Sequence, residues 1–172
     1  ISHQTQATNA KPRVLEGSFD FGRSVNARVA SDPSAPTPTL DLIGRDLTQR
    51  AKEGKLPHII GRDVELQRVV NVLLRTEQRN PLLTGDAGVG KTALAMALAQ
   101  RIADGQVPKP LQNQRVIEIN GASLMSGTSY RGELESRIKS LLNEANQRVI
   151  LFIDEAHAVF APRTNSQSPA EI

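Results

Sequence analysis

The sequence predicts an α/β fold in which helices cover both faces of a mainly parallel sheet, in three layers. Three observations predict it. A short apolar run, Pro81-Leu82-Leu83-Thr84, leads into the glycine-rich octet Gly85-Asp86-Ala87-Gly88-Val89-Gly90-Lys91-Thr92, and strong helix formers follow from Ala93 to Ile102. Strand-like and helix-like segments alternate along the chain, as helix-crossover connections between parallel strands require. A continuous apolar run, Val149-Ile150-Leu151-Phe152-Ile153, reads as a strand buried on both faces and ends in Asp154-Glu155.

Each element follows from its local pattern. Residues 1–39 are polar, with Pro33, Pro36 and Pro38 clustered and no sustained periodicity. They read as a flexible, largely disordered linker or the remnant of a preceding domain. The packed domain is expected over 40–172. Leu40, Ile43, Leu47 and Ala51 fall at the spacing of one helix, which Glu53-Gly54-Lys55 ends. Residues 56–62 form an extended connector, and Asp63 is suited to cap the next helix. That helix carries Leu66, Val69, Val70, Leu73 and Leu74 on one face. Residues 115–119 read as a strand, and 133–145 as an amphipathic helix with Leu134, Ile138, Leu141, Leu142 and Ala145 inward.

Composition bounds the function. The 172 residues suffice for one domain with a real core, and the net charge is only +3. No basic run is present and aromatic residues make up 3%, so composition makes no strong electrostatic case for a nucleic-acid partner. No apolar run approaches the ~20 residues of a membrane span, and no leader-like segment opens the chain. There is no cysteine, hence no disulfide framework and no thiolate metal site. A cytoplasmic or organellar-matrix location follows as the expectation.

The octet 85–92 fits Gly-x-x-x-x-Gly-Lys-Thr, a loop that curls around phosphate. Glycines allow the tight curl, and the backbone N–H groups of Gly85, Asp86, Ala87, Gly88, Val89 and Gly90 then point at phosphate oxygens. Lys91 supplies an ammonium to the β- and γ-phosphates, and Thr92 offers a hydroxyl to Mg²⁺. The helix that follows adds the partial positive charge of its N-terminus. An acid at the end of a neighbouring strand is needed to hold the metal through its water shell, and Asp154 fits. Glu155, next to it, is suited to polarise an attacking water. The catalytic residues expected are Glu155 and Lys91, with Thr92 and Asp154 at the metal and ATP and Mg²⁺ as cofactors. His157 has little support as a metal ligand, since His3 and His58 are the only other histidines. The run Asp154-Glu155-Ala156-His157 also occurs in a class of nucleic-acid helicases. An ATPase motor, a helicase and a nucleotide-binding module without turnover therefore all remain open at this point.

The order of motifs narrows this. Gly54-Lys55-Leu56, Ile60-Gly61-Arg62-Asp63, the phosphate loop, Ala99-Gln100-Arg101-Ile102, Tyr130-Arg131-Gly132-Glu133 and Ile150-Leu151-Phe152-Ile153-Asp154-Glu155-Ala156-His157 occur in series. The series, from about Leu40 to Phe160, resembles the first AAA+ module of the Clp chaperone ATPases, the family of ClpA, ClpB, ClpC and ClpV. The resemblance implies a P-loop NTPase that assembles as a homo-hexamer, threads unfolded or aggregated polypeptide and works with a peptidase or adaptor in some branches. It implies that Ile59 and Ile60 lie at the adenine. It also implies that Tyr130, Arg131 and Gly132 belong to a pore loop gripping polypeptide. Ser129 stands where the family often has a basic residue, and Asp86-Ala87 where many members have Glu-Pro, so the branch stays open. The family's polar sensor, arginine finger and helical lid follow the acidic strand. Their absence up to Ile172 leads to the expectation of a C-terminally truncated module that binds nucleotide and turns it over weakly or not at all.

Overall fold

The computed structural model describes residues 12–15, 36–126, 131–145 and 148–160. The domain is organised about strand β4 (Arg115–Asn120), which pairs in parallel with β5 (Val149–Asp154) from Arg115↔Val149 to Asn120↔Asp154. A parallel pair needs a long crossover. Here helices α5 (Gly121–Met125) and α6 (Arg131–Glu144) supply it. On the other edge of β4, the two-residue β2 (Arg45–Asp46) pairs antiparallel. A separate two-stranded sheet joins β1 (Arg13–Leu15) antiparallel to β3 (Leu82–Thr84).

Side-chain alternation on β4 builds the layers. Val116, Ile117 and Ile119 are each 1% exposed, so both faces of this strand are covered. Val116 faces α2 (Leu47–Lys52), α3 (Asp63–Leu73) and α4 (Lys91–Ala103), and packs with Leu47, Leu66, Leu94 and Leu98. Ile117 and Ile119 face the opposite way, against Leu40 of α1 (Pro38–Ile43), Leu124 of α5 and Leu141 of α6. β5 repeats the alternation: Ile150 and Phe152 turn to the first cluster, Val149 and Leu151 to the second. Helices thus lie on both faces of the sheet, in the three layers expected.

Five features differ from the expectation. Among the described residues the strands form a three-stranded sheet, with β4 parallel to β5 and antiparallel to β2, and a separate antiparallel pair of β1 and β3, rather than one continuous sheet. β5 is half-buried at all six positions, so it is not closed in on both faces. Within the segment read as a linker through residue 39, Arg13–Leu15 form β1, and α1 begins at Pro38; proline at a first helical position costs no hydrogen bond. The single helix expected from Leu40 to Ala51 is two, α1 and α2. Gly44 leaves α1 in an extended conformation, and β2 pairs with β4 before Asp46 caps α2 by accepting from the Gln49 amide at 2.8 Å. Finally, Asp63 does not cap α3. It is that helix's first residue, and its carboxylate pairs with Arg101 in the last turn of α4.

Charged groups tie α1, β2 and β4 together. The Arg115 guanidinium donates to Asp46 and Asp41, each at 2.7 Å, and to Thr37 at 3.1 Å. Glu144, at the end of α6, accepts from the backbone amides of Thr39 and Leu40 at 3.1 and 2.8 Å and so satisfies donors at the start of α1. Among the described residues no helix is long and apolar enough to cross a membrane.

Candidate nucleotide site

The octet forms the turn between β3 and α4. Gly85 has φ +143°, and a Cβ there would stand 2.9 Å from Val89 Cγ2; Gly90 has φ +96° and is the residue from which α4 starts. Both conformations are costly for any residue with a side chain, so glycine is required by geometry as well as by close packing. Val89 is buried and anchors the loop, while Gly85, Asp86, Ala87 and Gly88 face solvent. The thirteen residues of α4 direct their N-terminal partial charge toward the loop.

Lys91 folds back over the loop, its Nζ donating to the carbonyl oxygens of Gly85 at 2.8 Å and Asp86 at 2.9 Å. The ammonium therefore rests at the centre of the curl, where it can exchange these carbonyls for phosphate oxygens. Thr92 Oγ1 donates to Asp154 Oδ2 at 2.8 Å. This contact brings together the two residues read from the sequence as the metal pair, although β3 and β5 share no ladder among the described residues. A hydroxyl and a carboxylate oxygen side by side are the hard donors that Mg²⁺ prefers, with phosphate and water oxygens left to complete its shell. The pair fits the ion. The other Asp154 oxygen accepts from the Glu155 amide at 3.0 Å. Among the described residues there is no group of three or more His, Cys, Asp or Glu side chains able to hold a metal by themselves.

Glu155 takes the left-handed conformation, φ +52°, unusual for a residue with a side chain. The turn presents its carboxylate toward Asn120, whose Nδ2 donates to Oε2 at 3.4 Å. Asn120 also caps α5, its Oδ1 accepting from Ala122 and Ser123 at 2.8 and 3.2 Å. The sequence reading missed Asn120. Its signal was available: an asparagine at a strand end, one residue before a helix, is a frequent cap.

A cavity of about 760 Å³ borders the loop, its wall formed by Arg13, Val64, Glu65, Arg68, Asp86 and Val89 among others. Ile59 and Ile60 do not line it. Ile59 packs on the first core cluster and Ile60 is 81% exposed, carried on the connector just before α3. Arg62, at the end of that connector, donates from Nη2 to the Val89 carbonyl at 2.9 Å. Of the expected pore-loop residues, Tyr130 lies outside the described residues, while Arg131 and Gly132 open α6.

The family model for the ATPase family associated with various cellular activities (AAA) matches residues 81–172, from the strand before the loop onward. The chain belongs to the AAA ATPase family. Within it the likeness runs to Clp chaperones. The chain is 44% identical over 162 residues to chaperone protein ClpB 1 of Nostoc sp., covering 92% of this chain and 18% of that protein. It is 45% identical over 154 residues to the ClpC/MecB negative regulator of genetic competence of Bacillus subtilis, covering 87% and 19%. Among solved structures, the S. cerevisiae Hsp104–ADP complex is 40% identical with a TM-score of 0.62, covering 69% of this chain and 17% of that one. The extended Hsp104–casein complex is 39% identical with a TM-score of 0.63, covering 69% and 21%. The chain thus spans about a fifth of the length of these relatives.

Proposed function

We propose that this AAA module binds ATP with Mg²⁺ and hydrolyses it within a Clp-type chaperone that threads polypeptide through a homo-hexameric ring. The observation that carries the reading is the 2.8 Å contact between Thr92 and Asp154, which joins the phosphate loop to the acidic strand end in one site. In this reading the loop amides and Lys91 hold the phosphates. Thr92 and Asp154 hold Mg²⁺, which when bound offsets charge on the β- and γ-phosphates. Glu155 accepts a proton from the attacking water. The base rests against the connector, where exposed Ile60 offers apolar surface and Ile59 anchors the segment to the core. Tyr130, Arg131 and Gly132 grip polypeptide, an aromatic ring giving contact that tolerates many sequences. The similarity to an Hsp104–casein complex supports a polypeptide substrate. An adaptor or peptidase partner and a cytoplasmic or organellar-matrix site complete the proposal. Neither nucleic acid nor membrane enters it.

Glu155→Gln in the full-length protein tests the reading. It keeps the shape of the turn and removes the base, so ATP is expected to stay bound while turnover falls by ~10²–10⁴-fold. Turnover at the wild-type rate by a folded Glu155→Gln protein would remove Glu155 from the mechanism.

A further inference from the structure

Arg62 is half-buried and stands between the connector and α3, 27 positions before its partner in the phosphate loop. We propose that Arg62 is a positioning residue for that loop: it fixes the direction of the Val89 carbonyl and so makes phosphate affinity depend on the connector 59–61. The inference rests on the nucleotide reading above.

The geometry has three parts. First, Arg62 Nη2 donates to the Val89 oxygen at 2.9 Å. A trans peptide unit is planar, with its C=O and the following N–H on opposite sides. No cis bond occurs among the described residues, so holding the Val89 carbonyl toward Arg62 turns the Gly90 N–H away from it. Second, the loop cannot fix this plane alone. Gly90, at φ +96°, belongs to a residue type with a wide range of accessible conformations, and rotation about its backbone would swing the plane. Arg62 also fills the space where a side chain on Gly90 would sit, its Nη2 only 3.2 Å from a Cβ built there. Third, the neighbouring Asp63 pairs with Arg101 in the last turn of α4. Consecutive residues thus hold α4 at both ends, and the end held by Arg62 carries Lys91 and Thr92. A displacement of the connector is transmitted to the loop through a hydrogen bond and a packed guanidinium rather than through the chain.

This role predicts a selective defect. Hydrogen bonds to a charged group contribute enough that loss of this one changes an equilibrium by ~10–100-fold. The loss falls on the phosphate-binding conformation and leaves the surface offered to the base intact. In the full-length protein, displacement of a fluorescent ADP analogue by ADP and by adenosine should be measured for wild type, Arg62→Lys, Arg62→Met and Lys91→Ala. Arg62→Met is expected to weaken ADP by about tenfold or more and adenosine by less than about twofold. Arg62→Lys keeps the charge without the planar fork and should fall between Arg62→Met and wild type. Equal losses for ADP and adenosine would mean that Arg62 serves only folding, and would overturn the proposal. So would unchanged ADP affinity in Arg62→Met while Lys91→Ala abolishes binding, a result that leaves the nucleotide reading standing. Failure of the wild-type protein to bind ADP would remove both. Where Arg62→Met does not fold, Arg62→Lys decides: wild-type affinity for ADP in that variant overturns the proposal.

Discussion

Gly121→Ala is expected to damage turnover more than nucleotide binding, and its effect can be worked from distances. Gly121 is the first residue of α5 and is buried. A Cβ there would stand 2.7 Å from the Glu155 carbonyl oxygen, 3.1 Å from that of Asp154 and 3.1 Å from Val159 Cγ2. The Val159 methyl belongs to a side chain and can adjust. The two carbonyls belong to the turn that carries the proposed metal ligand and the proposed base, and they move only if the turn moves. Overpacking of this kind costs ~1–3 kcal/mol. Alanine recovers at most ~1 kcal/mol of that through its better helix propensity, less at a first helical position. A net loss of ~1–2 kcal/mol follows, which would lower the melting temperature of a 172-residue domain by ~2–8 °C and that of a longer chain by less.

The functional consequence is larger because the displaced atoms belong to the site. A displacement of ~1 Å of a reacting group can reduce turnover by ~10²-fold. Glu155 already occupies a left-handed conformation that leaves it few alternatives. The phosphate loop lies on β3 and α4 and is not touched. The assay is steady-state ATP hydrolysis by the full-length protein, alongside ADP affinity and thermal unfolding. The expected pattern is turnover reduced tenfold or more, ADP affinity within about twofold and a modest fall in melting temperature. Adding Val159→Ala should restore only part of the loss, because it relieves the side-chain contact and not the two carbonyls. Full recovery in the double variant, or no change in the single one, would refute the reasoning.

Acid should destabilise the domain. Hydrogen bonding to Arg115, then to Thr37, lowers the Asp41 pKa below its ordinary 3.8. Burial opposes ionisation of Glu144, but the hydrogen bonds from Thr39 and Leu40 outweigh it and hold its carboxyl below the ordinary 4.5. Folded-state values below the unfolded ones give stability that is present above the unfolded pKa and is lost as pH falls through the folded one. Melting temperature should therefore hold steady down to about pH 5 and drop below it, and Glu144→Gln should flatten the drop. Val14→Lys addresses the N-terminal strand: Val14 packs on the first core cluster opposite Leu83, so a lysine should undock β1 and cost ~1 kcal/mol. Faster hydrogen exchange at Leu82–Thr84 is the measurement that checks it, and unchanged protection there would deny β1 a part in holding β3.

The parts of the site that were legible in the sequence are those set by local chemistry. Glycine spacing, a lysine and a threonine at fixed offsets, and two acids after an apolar strand each express a constraint within a few residues. The structure places Thr92 and Asp154 2.8 Å apart, at the ends of the two local patterns. Helix faces were legible for the same reason, since Leu66, Val69 and Val70 face the core as their spacing requires. The break between α1 and α2 was less so, because Leu40 and Leu47 are both fully buried and keep helical spacing across Gly44, yet belong to opposite faces of the sheet. Periodicity reports that a residue is inside and not which inside it is. Arg62 escaped because its partner Val89 is 27 positions away and a polar side chain on a loop has no periodic signature; for Asn120, at the end of β4, the cap was readable but the contact with Glu155, 35 positions away, was not.

The same distinction bears on how the site is held. The phosphate loop hangs from β3 and the acidic turn from β5, and no ladder joins these strands among the described residues. Their relative position rests on the core cluster in which Leu94 and Leu98 of α4 meet Val116, with Ile150 and Phe152 packed against it, and on the Thr92–Asp154 contact at its rim. Packed side chains fix distance well and permit small sliding movements that a hydrogen-bonded ladder resists. In the proposed reading, phosphate and metal charge entering between the two halves would act on the 2.8 Å hydrogen bond, which would reorganise if Thr92 and Asp154 turned to the ion. Binding would then adjust one layer of the sandwich against the other, and Arg62 and Asn120, each reaching a backbone or carboxylate oxygen of one half, stand where such an adjustment is felt first.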